Sequence, residues 1–167
     1  MRLRDKEKGG SIVEIKIMSQ KEAEEWSYNQ WMEVTLLVSI LGTHAPTPNF
    51  YRNPRIIDRI SVSFDDIHEV RGNQTLLSEE DCQRIGEFIL NHVDQVETIV
   101  IHCSTGESRS AAIAFAVCRL LGLDDRWIFE SPKYSPNTYC VKKLNRVLEL
   151  GLSEEEIVSR FEYKKRH

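Results

Sequence analysis

Between Thr98 and Gly122 the chain changes character twice within a few residues. Thr98-Ile99-Val100-Ile101 is a short, β-branched, apolar run, the pattern of a buried strand. His102 to Ser110 is polar and reads as a loop, with Cys103 at its start and Arg109 six residues on. Ala111 to Leu121 is apolar and rich in alanine, the pattern of a buried helix, and Gly122 is placed to stop it. A buried strand, a tight polar loop and a buried helix in direct succession point to an α/β architecture. In such folds ligands sit beyond the carboxyl ends of the strands, where this loop falls.

The rest of the chain agrees with that class. Ser11 to Met18 alternates apolar and polar residues as a half-buried strand does, and Ser19 caps an acid-rich helix start at Gln20 to Trp26. Val34 to Leu41 and Ile56 to Phe64 read as strands, joined through a loop marked by Gly42, Pro46, Pro48 and Asn49. Ser78 caps a helix with Ile85, Phe88, Ile89 and Val93 at helical spacing. Asn137 to Leu150 and Ser153 to Tyr163 read as two further helices, parted by Gly151. The expected fold is a mostly parallel central sheet flanked by helices. With 167 residues the expectation is a single domain over 1–167; the sequence leaves the order of residues 1–10 open.

Composition narrows the function classes. A formal charge of −4 argues against a general nucleic-acid binder. No apolar run approaches the roughly 20 residues that span a membrane. Met1 to Gly10 lacks the apolar centre of a secretory signal, and the chain's end shows no prenylation box. The expectation is a cytoplasmic protein. Cys82, Cys103, Cys118 and Cys140 form no C-x-x-C pair, and His44, His68 and His92 are scattered, so neither a metal nor another cofactor is expected. Cys82, Cys118 and Cys140 fall in helix-like segments and read as core residues.

Cys103 stands apart. A loop of this length can turn several backbone N–H groups toward one centre, and the helix start adds partial positive charge, which makes an anion nest. Gly106 permits a turn that other residues resist. The same surroundings favour thiolate, the nucleophilic form of cysteine. Arg109 offers a planar fork of donors matching two phosphate oxygens, and the Ser110 hydroxyl can donate to the Cys103 sulfur.

His102-Cys103-Ser104-Thr105-Gly106-Glu107-Ser108-Arg109-Ser110 resembles the phosphate-binding loop of the protein tyrosine phosphatase superfamily, in its dual-specificity branch. The resemblance extends over about Val34 to Leu148 and is shared by small phosphatase-like proteins of microbes and phages. It implies a cysteine-phosphatase fold and phosphate transfer through a phosphocysteine on Cys103. It further implies a phosphate bound by Arg109 and by the backbone of Ser104, Thr105, Gly106, Glu107 and Ser108. In the family the His before the Cys holds the loop, which gives His102 a supporting role. Glu107 is unusual as an acid beside a phosphate nest, and its side chain is expected to point outward.

The leaving oxygen needs a proton, which a carboxylic acid can supply. In the resembled family an Asp on a loop upstream of the nucleophile does this, and Phe64-Asp65-Asp66-Ile67 lies at such a distance. Adjacent residues leave Asp65 and Asp66 both open. Phe-Asp-Asp resembles the acid loop of the prenylated phosphatases, where the second Asp serves, and this implies Asp66. Ser135-Pro136-Asn137 is similar to the segment opening a late helix in dual-specificity phosphatases, where the Asn braces the phosphate loop. A plain helix N-cap is the alternative for Asn137, and both roles can hold at once.

The expected activity is hydrolysis of phosphomonoesters, with phosphotyrosine in proteins favoured over phosphoserine and phosphothreonine. The expected partner is a phosphorylated protein or a small phosphomonoester. A catalytically silent phosphate-binding module is the alternative. A sulfurtransferase would need neither Asp66 nor the Ser110 hydroxyl.

Overall fold

A computed structural model describes residues 12–162; the readings at residues 1–10, Ser11 and Tyr163 lie outside these. The elements in order are β1 (Glu14–Ser19), α1 (Gln20–Trp26), β2 (Thr35–Leu41), β3 (Ile56–Ser63), α2 (Glu79–His92), β4 (Thr98–Cys103), α3 (Arg109–Leu121), α4 (Arg126–Phe129), α5 (Thr138–Leu148) and α6 (Glu154–Ile157). The four strands form one sheet in the order β1-β4-β2-β3, with every pairing parallel. This is the α/β fold read from the sequence.

β4 runs to Cys103, two residues beyond the apolar run, because β1 pairs with it as far as Ser19 opposite Cys103. All six of its residues are buried. Strand side chains alternate between faces. Ile99, Ile101 and Cys103 join a core that includes Leu36, Val38, Ile40, Ile60, Val62 and the apolar sides of α2, α3 and α5. The opposite face, carrying Val100 and His102, lies beneath α1 and the loop of residues 48–53. There Asn49 N–H donates to Glu24 at 2.7 Å, Tyr51 N–H to the Ser27 hydroxyl at 2.8 Å, and the Asn53 amide to the Ser27 and Asn29 carbonyls.

Caps set several boundaries. Ser19 and Glu22 form a reciprocal capping box at α1, and Ser78 accepts from Asp81 N–H at α2. Gly122 ends α3 in the left-handed region at φ 68°. α5 ends before Gly151, because Glu149 already turns left-handed at φ 53° and Asn145 is tied to Leu152 through both ends of its amide. The last helix starts at its Ser153–Glu156 capping box but stays α-helical only to Ile157, continuing as a π-helical stretch Val158–Glu162.

Candidate active site

Cys103 closes β4, and Arg109 opens α3, so strand and helix fix the two ends of the loop between them. Gly106 takes φ 73°, and a Cβ there would meet the backbone of Met18 and Ser19 at 2.7 Å. Conformation and close approach both require glycine at this point. The loop is further held by Gln20 N–H on the Ser104 carbonyl at 3.3 Å, Ser135 N–H on the Glu107 carbonyl at 2.8 Å and Asn137 N–H on the Ser108 carbonyl at 3.2 Å.

The Cys103 sulfur lies 3.0 Å from the Ser110 hydroxyl and accepts Gly106 N–H at 3.3 Å. The sulfur thus has a backbone N–H and a hydroxyl within hydrogen-bond reach. The other three cysteines are buried among apolar groups. Burial pushes the thiols of Cys82 and Cys118 up to about 12 and raises that of Cys140 as well, so all three remain neutral thiols. Arg109 is 9% exposed, and one guanidinium nitrogen donates to the Phe64 carbonyl at 2.9 Å. That bond anchors the guanidinium to the end of β3. Ser104, Thr105 and Glu107 are exposed, while Gly106 and Ser110 are buried.

His102 is fully buried on the other side of β4. Its Nε2 lies 2.6 Å from the Ser39 hydroxyl, its Nδ1 lies 3.4 Å from the Cys103 carbonyl, and the Phe50 ring meets it edge-on at 5.3 Å. A carbonyl only accepts, so Nδ1 carries the hydrogen and Nε2 accepts from Ser39. Burial lowers the imidazole to about 4, against a smaller opposing effect of the Cys103 backbone. His102 is thus a neutral brace at the foot of the loop.

Asp65 and Asp66 are adjacent in the chain but differently engaged. Asp65 accepts from Thr43 N–H at 3.0 Å, from the Thr43 hydroxyl, and from Thr75 N–H at 2.8 Å. Burial pushes its carboxyl up, but the Thr43 and Thr75 donors and the Arg109 charge outweigh this and hold it below the usual carboxylate range. All of these bonds tie one loop to another. Asp66 is exposed, and its Oδ1 accepts from the Ser108 hydroxyl at 2.8 Å and the Asn137 amide at 2.7 Å. Asn137 also donates to the Ile67 carbonyl at 3.1 Å and caps α5 by accepting Cys140 N–H at 3.0 Å. The Asn137 side chain therefore joins the loop of Asp65 and Asp66 to the start of α5, its backbone N–H holds the Cys103 loop at Ser108, and it caps the helix as the sequence suggested.

Hydrogen bonds join Cys103 to Ser110 and Asp66 to Asn137, and Arg109 bonds the Phe64 carbonyl just before Asp65 and Asp66; His102 bonds Ser39 on the opposite face of β4, and Asp65 bonds Thr43 and Thr75. Ser39, Thr43 and Thr75 complete the support, and sequence reasoning missed all three. Ser39 alone left a signal, as a hydroxyl inside the apolar run Val34 to Leu41. Among the described residues no group of three or more His, Cys, Asp or Glu side chains could hold a metal. No helix among them is long and apolar enough to cross a membrane.

The chain has the fold of the dual-specificity branch of the protein tyrosine phosphatase superfamily. It is similar to the human tyrosine phosphatase-like serine/threonine/tyrosine-interacting protein, with TM-score 0.60 and 19% identity over 83% of this chain and 93% of that one. It is similar to human DUSP28, with TM-score 0.53 and 20% identity over 81% of this chain and 91% of that one. A mouse putative dual specificity phosphatase, complexed with zinc tungstate, gives TM-score 0.52 and 17% identity over 78% of this chain and 79% of that one. No family model and no curated protein matches the sequence significantly.

Proposed function

We propose that this protein is a cysteine-dependent phosphatase acting on phosphomonoesters, with phosphotyrosine in proteins as the favoured substrate and phosphoserine and phosphothreonine admitted. The observation that carries the reading is the Cys103 sulfur at the end of β4, within hydrogen-bond reach of Gly106 N–H and the Ser110 hydroxyl, with Arg109 at the helix entrance.

The Cys103 thiolate attacks phosphorus, and the P–O bond to the leaving group breaks. Charge on the phosphoryl oxygens is met by loop N–H groups and by the Arg109 fork. Asp66 gives its proton to the departing oxygen. Its Oδ1 accepts from Ser108 and Asn137, which leaves Oδ2 as the oxygen to carry the proton. Asp65 is less suited, because both its oxygens already accept bonds. In the second step Asp66 takes a proton from water as it attacks the phosphocysteine. The Ser110 hydroxyl stabilises the thiolate that leaves. Ser104, Thr105 and Glu107 offer side chains at the mouth, and none is basic. This favours a single phosphate on a protein over a polyanionic substrate such as a phosphoinositide. The proposed setting is the cytoplasm.

The test is hydrolysis of para-nitrophenyl phosphate by wild type and Cys103→Ser, in chelator and reductant, between pH 5 and 7. Turnover by wild type and none by Cys103→Ser is expected. Equal activity in both would move the nucleophile elsewhere. Inactivity of both, with a phosphopeptide still bound, would replace the enzyme by a phosphate-binding module.

A further inference from the structure

Beyond Asp66 the chain folds back through Arg71, Gly72, Asn73 and Gln74. The turn is closed by Gln74 N–H donating to the Arg71 carbonyl at 2.9 Å, with Gly72 at φ 52°. This turn and His44 border an open, shallow cleft of about 420 Å³, lined by His44, Arg71, Gly72, Asn73 and Gln74. The proposed phosphatase chemistry uses none of these residues.

The cleft is fixed beside the candidate acid. Thr43 precedes His44 and Thr75 follows Gln74, and both bond to Asp65, the neighbour of Asp66. Gly42 lies against Arg109: a Cβ there would come within 3.9 Å of the guanidinium. Both sides of the cleft are thus tied through Thr43 and Thr75 to Asp65, and Gly42, two residues before His44, lies against Arg109.

Its side chains carry donors suited to an anion: a guanidinium, an imidazole and two amides, with no carboxylate in the lining. Arg71 is approached by Glu69 at 3.5 Å, with both side chains largely exposed (66% and 73%). An exposed pair of this kind is easily exchanged for a better partner. In the Cys103 loop itself, by contrast, the exposed charge is that of Glu107. Arg71 thus offers an exposed cation where the Cys103 loop offers an exposed anion.

We infer that the cleft between His44 and the Arg71–Gln74 turn is an anion subsite that takes an acidic group of a phosphopeptide, carried close to the phosphorylated residue. The inference rests on the phosphatase reading for what enters the Cys103 nest, but binding at the cleft does not need turnover. A carboxylate and a second phosphate share the chemistry, since both accept the paired N–H groups of arginine.

The test uses the full chain carrying Cys103→Ser and phosphotyrosine peptides of one sequence, with Gln, Glu or phosphoserine at the flanking positions. Affinity is read by fluorescence anisotropy, and the quantity compared is the ratio between peptides within each protein. The Glu peptide is expected to bind about fivefold tighter than the Gln peptide, the scale of one exposed charge pair. Adding Arg71→Glu should abolish that ratio, and adding Glu69→Gln should raise it. A phosphoserine peptide that outbinds the Glu peptide, with the same dependence on Arg71, would identify a second phosphate as the occupant. Equal affinity for all three peptides, or a ratio indifferent to Arg71→Glu, overturns the subsite. Wild type inactive on para-nitrophenyl phosphate but keeping the Arg71-dependent ratio would sink the phosphatase reading and sustain the subsite.

Discussion

The Cys103 loop and the acid loop meet over one site but are held by different means. The Cys103 loop is strung between a fully buried strand and a largely buried helix, and its glycine packs directly on the backbone of β1. The acid loop follows β3 into a stretch with no helix or strand until α2, and most of residues 68–75 are exposed. Its position depends on side chains: Asp65 on Thr43 and Thr75, Asn137 on Asp66 and Ile67, and Arg109 on the Phe64 carbonyl. Cys103 is placed by secondary structure and Asp66 by single polar contacts. Changes in the first region should abolish chemistry, and changes in the second should tune it.

Arg109→Lys should give the largest effect short of removing the nucleophile. Lysine supplies a point charge in place of a fork, and it also gives up the bond to Phe64 that joins the two loops. A loss of about a thousandfold in kcat/KM is expected, the upper range for one charge-stabilising donor. A loss under tenfold would show that the loop's N–H groups suffice.

His102 sharpens the comparison from the stability side. Its imidazole falls from 6.5 to about 4 in the folded protein because it is buried. Between those values the unfolded chain binds the extra proton, so stability rises with pH there. The contribution is complete above pH 6.5 and is lost as pH falls toward 4. It amounts to about 3 kcal/mol at about 1.4 kcal/mol per unit. Urea melts at pH 7 and pH 4.5 should show this loss, and His102→Gln should flatten it. A wild-type stability that stays level over that window would mean the imidazole is not held neutral by the fold.

Asp66→Asn should lower turnover of phenyl phosphate, a poor leaving group, by about a hundredfold, the lower range for general acid catalysis. Turnover of para-nitrophenyl phosphate should fall much less, because its leaving group needs little protonation. Equal losses on both substrates would assign Asp66 to support instead of proton transfer.

The same division explains what the sequence disclosed. The Cys103 loop is contiguous, and the strand and helix that fix it flank it directly, so its residues could be read off in order. The ties of the acid loop reach from Asp65 to Thr43 across 22 residues, and from Asp66 to Asn137 across 71. No periodicity records such pairs. Asn137 was legible as a helix N-cap, but its tie to the Cys103 loop only through a family resemblance, and Thr43 and Thr75 sit in loops where a threonine carries no signal. Elements with a clear period and a cap, such as α2, or with an apolar run and a stop signal, such as α3, were legible to within a few residues. α4 was missed because four residues with Ile128 alone buried contain no period. The final helix was legible at its Ser153 cap but not in its π-helical continuation, which no sequence pattern distinguishes from α.

Asp65→Asn should have the smallest effect and is the sharpest test of the two loops' independence. The substitution keeps the size and leaves an oxygen to accept one backbone N–H, but it puts an amide where the second oxygen accepted from Thr43 and Thr75. The folded state holds the Asp65 carboxyl below its ordinary range, so the native carboxylate contributes stability above that range and loses it in acid. The site is partly exposed and solvent screens it, so the cost is expected to be about 1 kcal/mol at neutral pH. Activity should fall by a few-fold on phenyl phosphate and para-nitrophenyl phosphate alike, because the loop loosens without losing its proton. If phenyl phosphate alone suffers, Asp65 is the proton donor and Asp66 its support. The carboxylate held by three donors would then have to leave them during turnover, and the acid loop would be a moving part instead of a braced one.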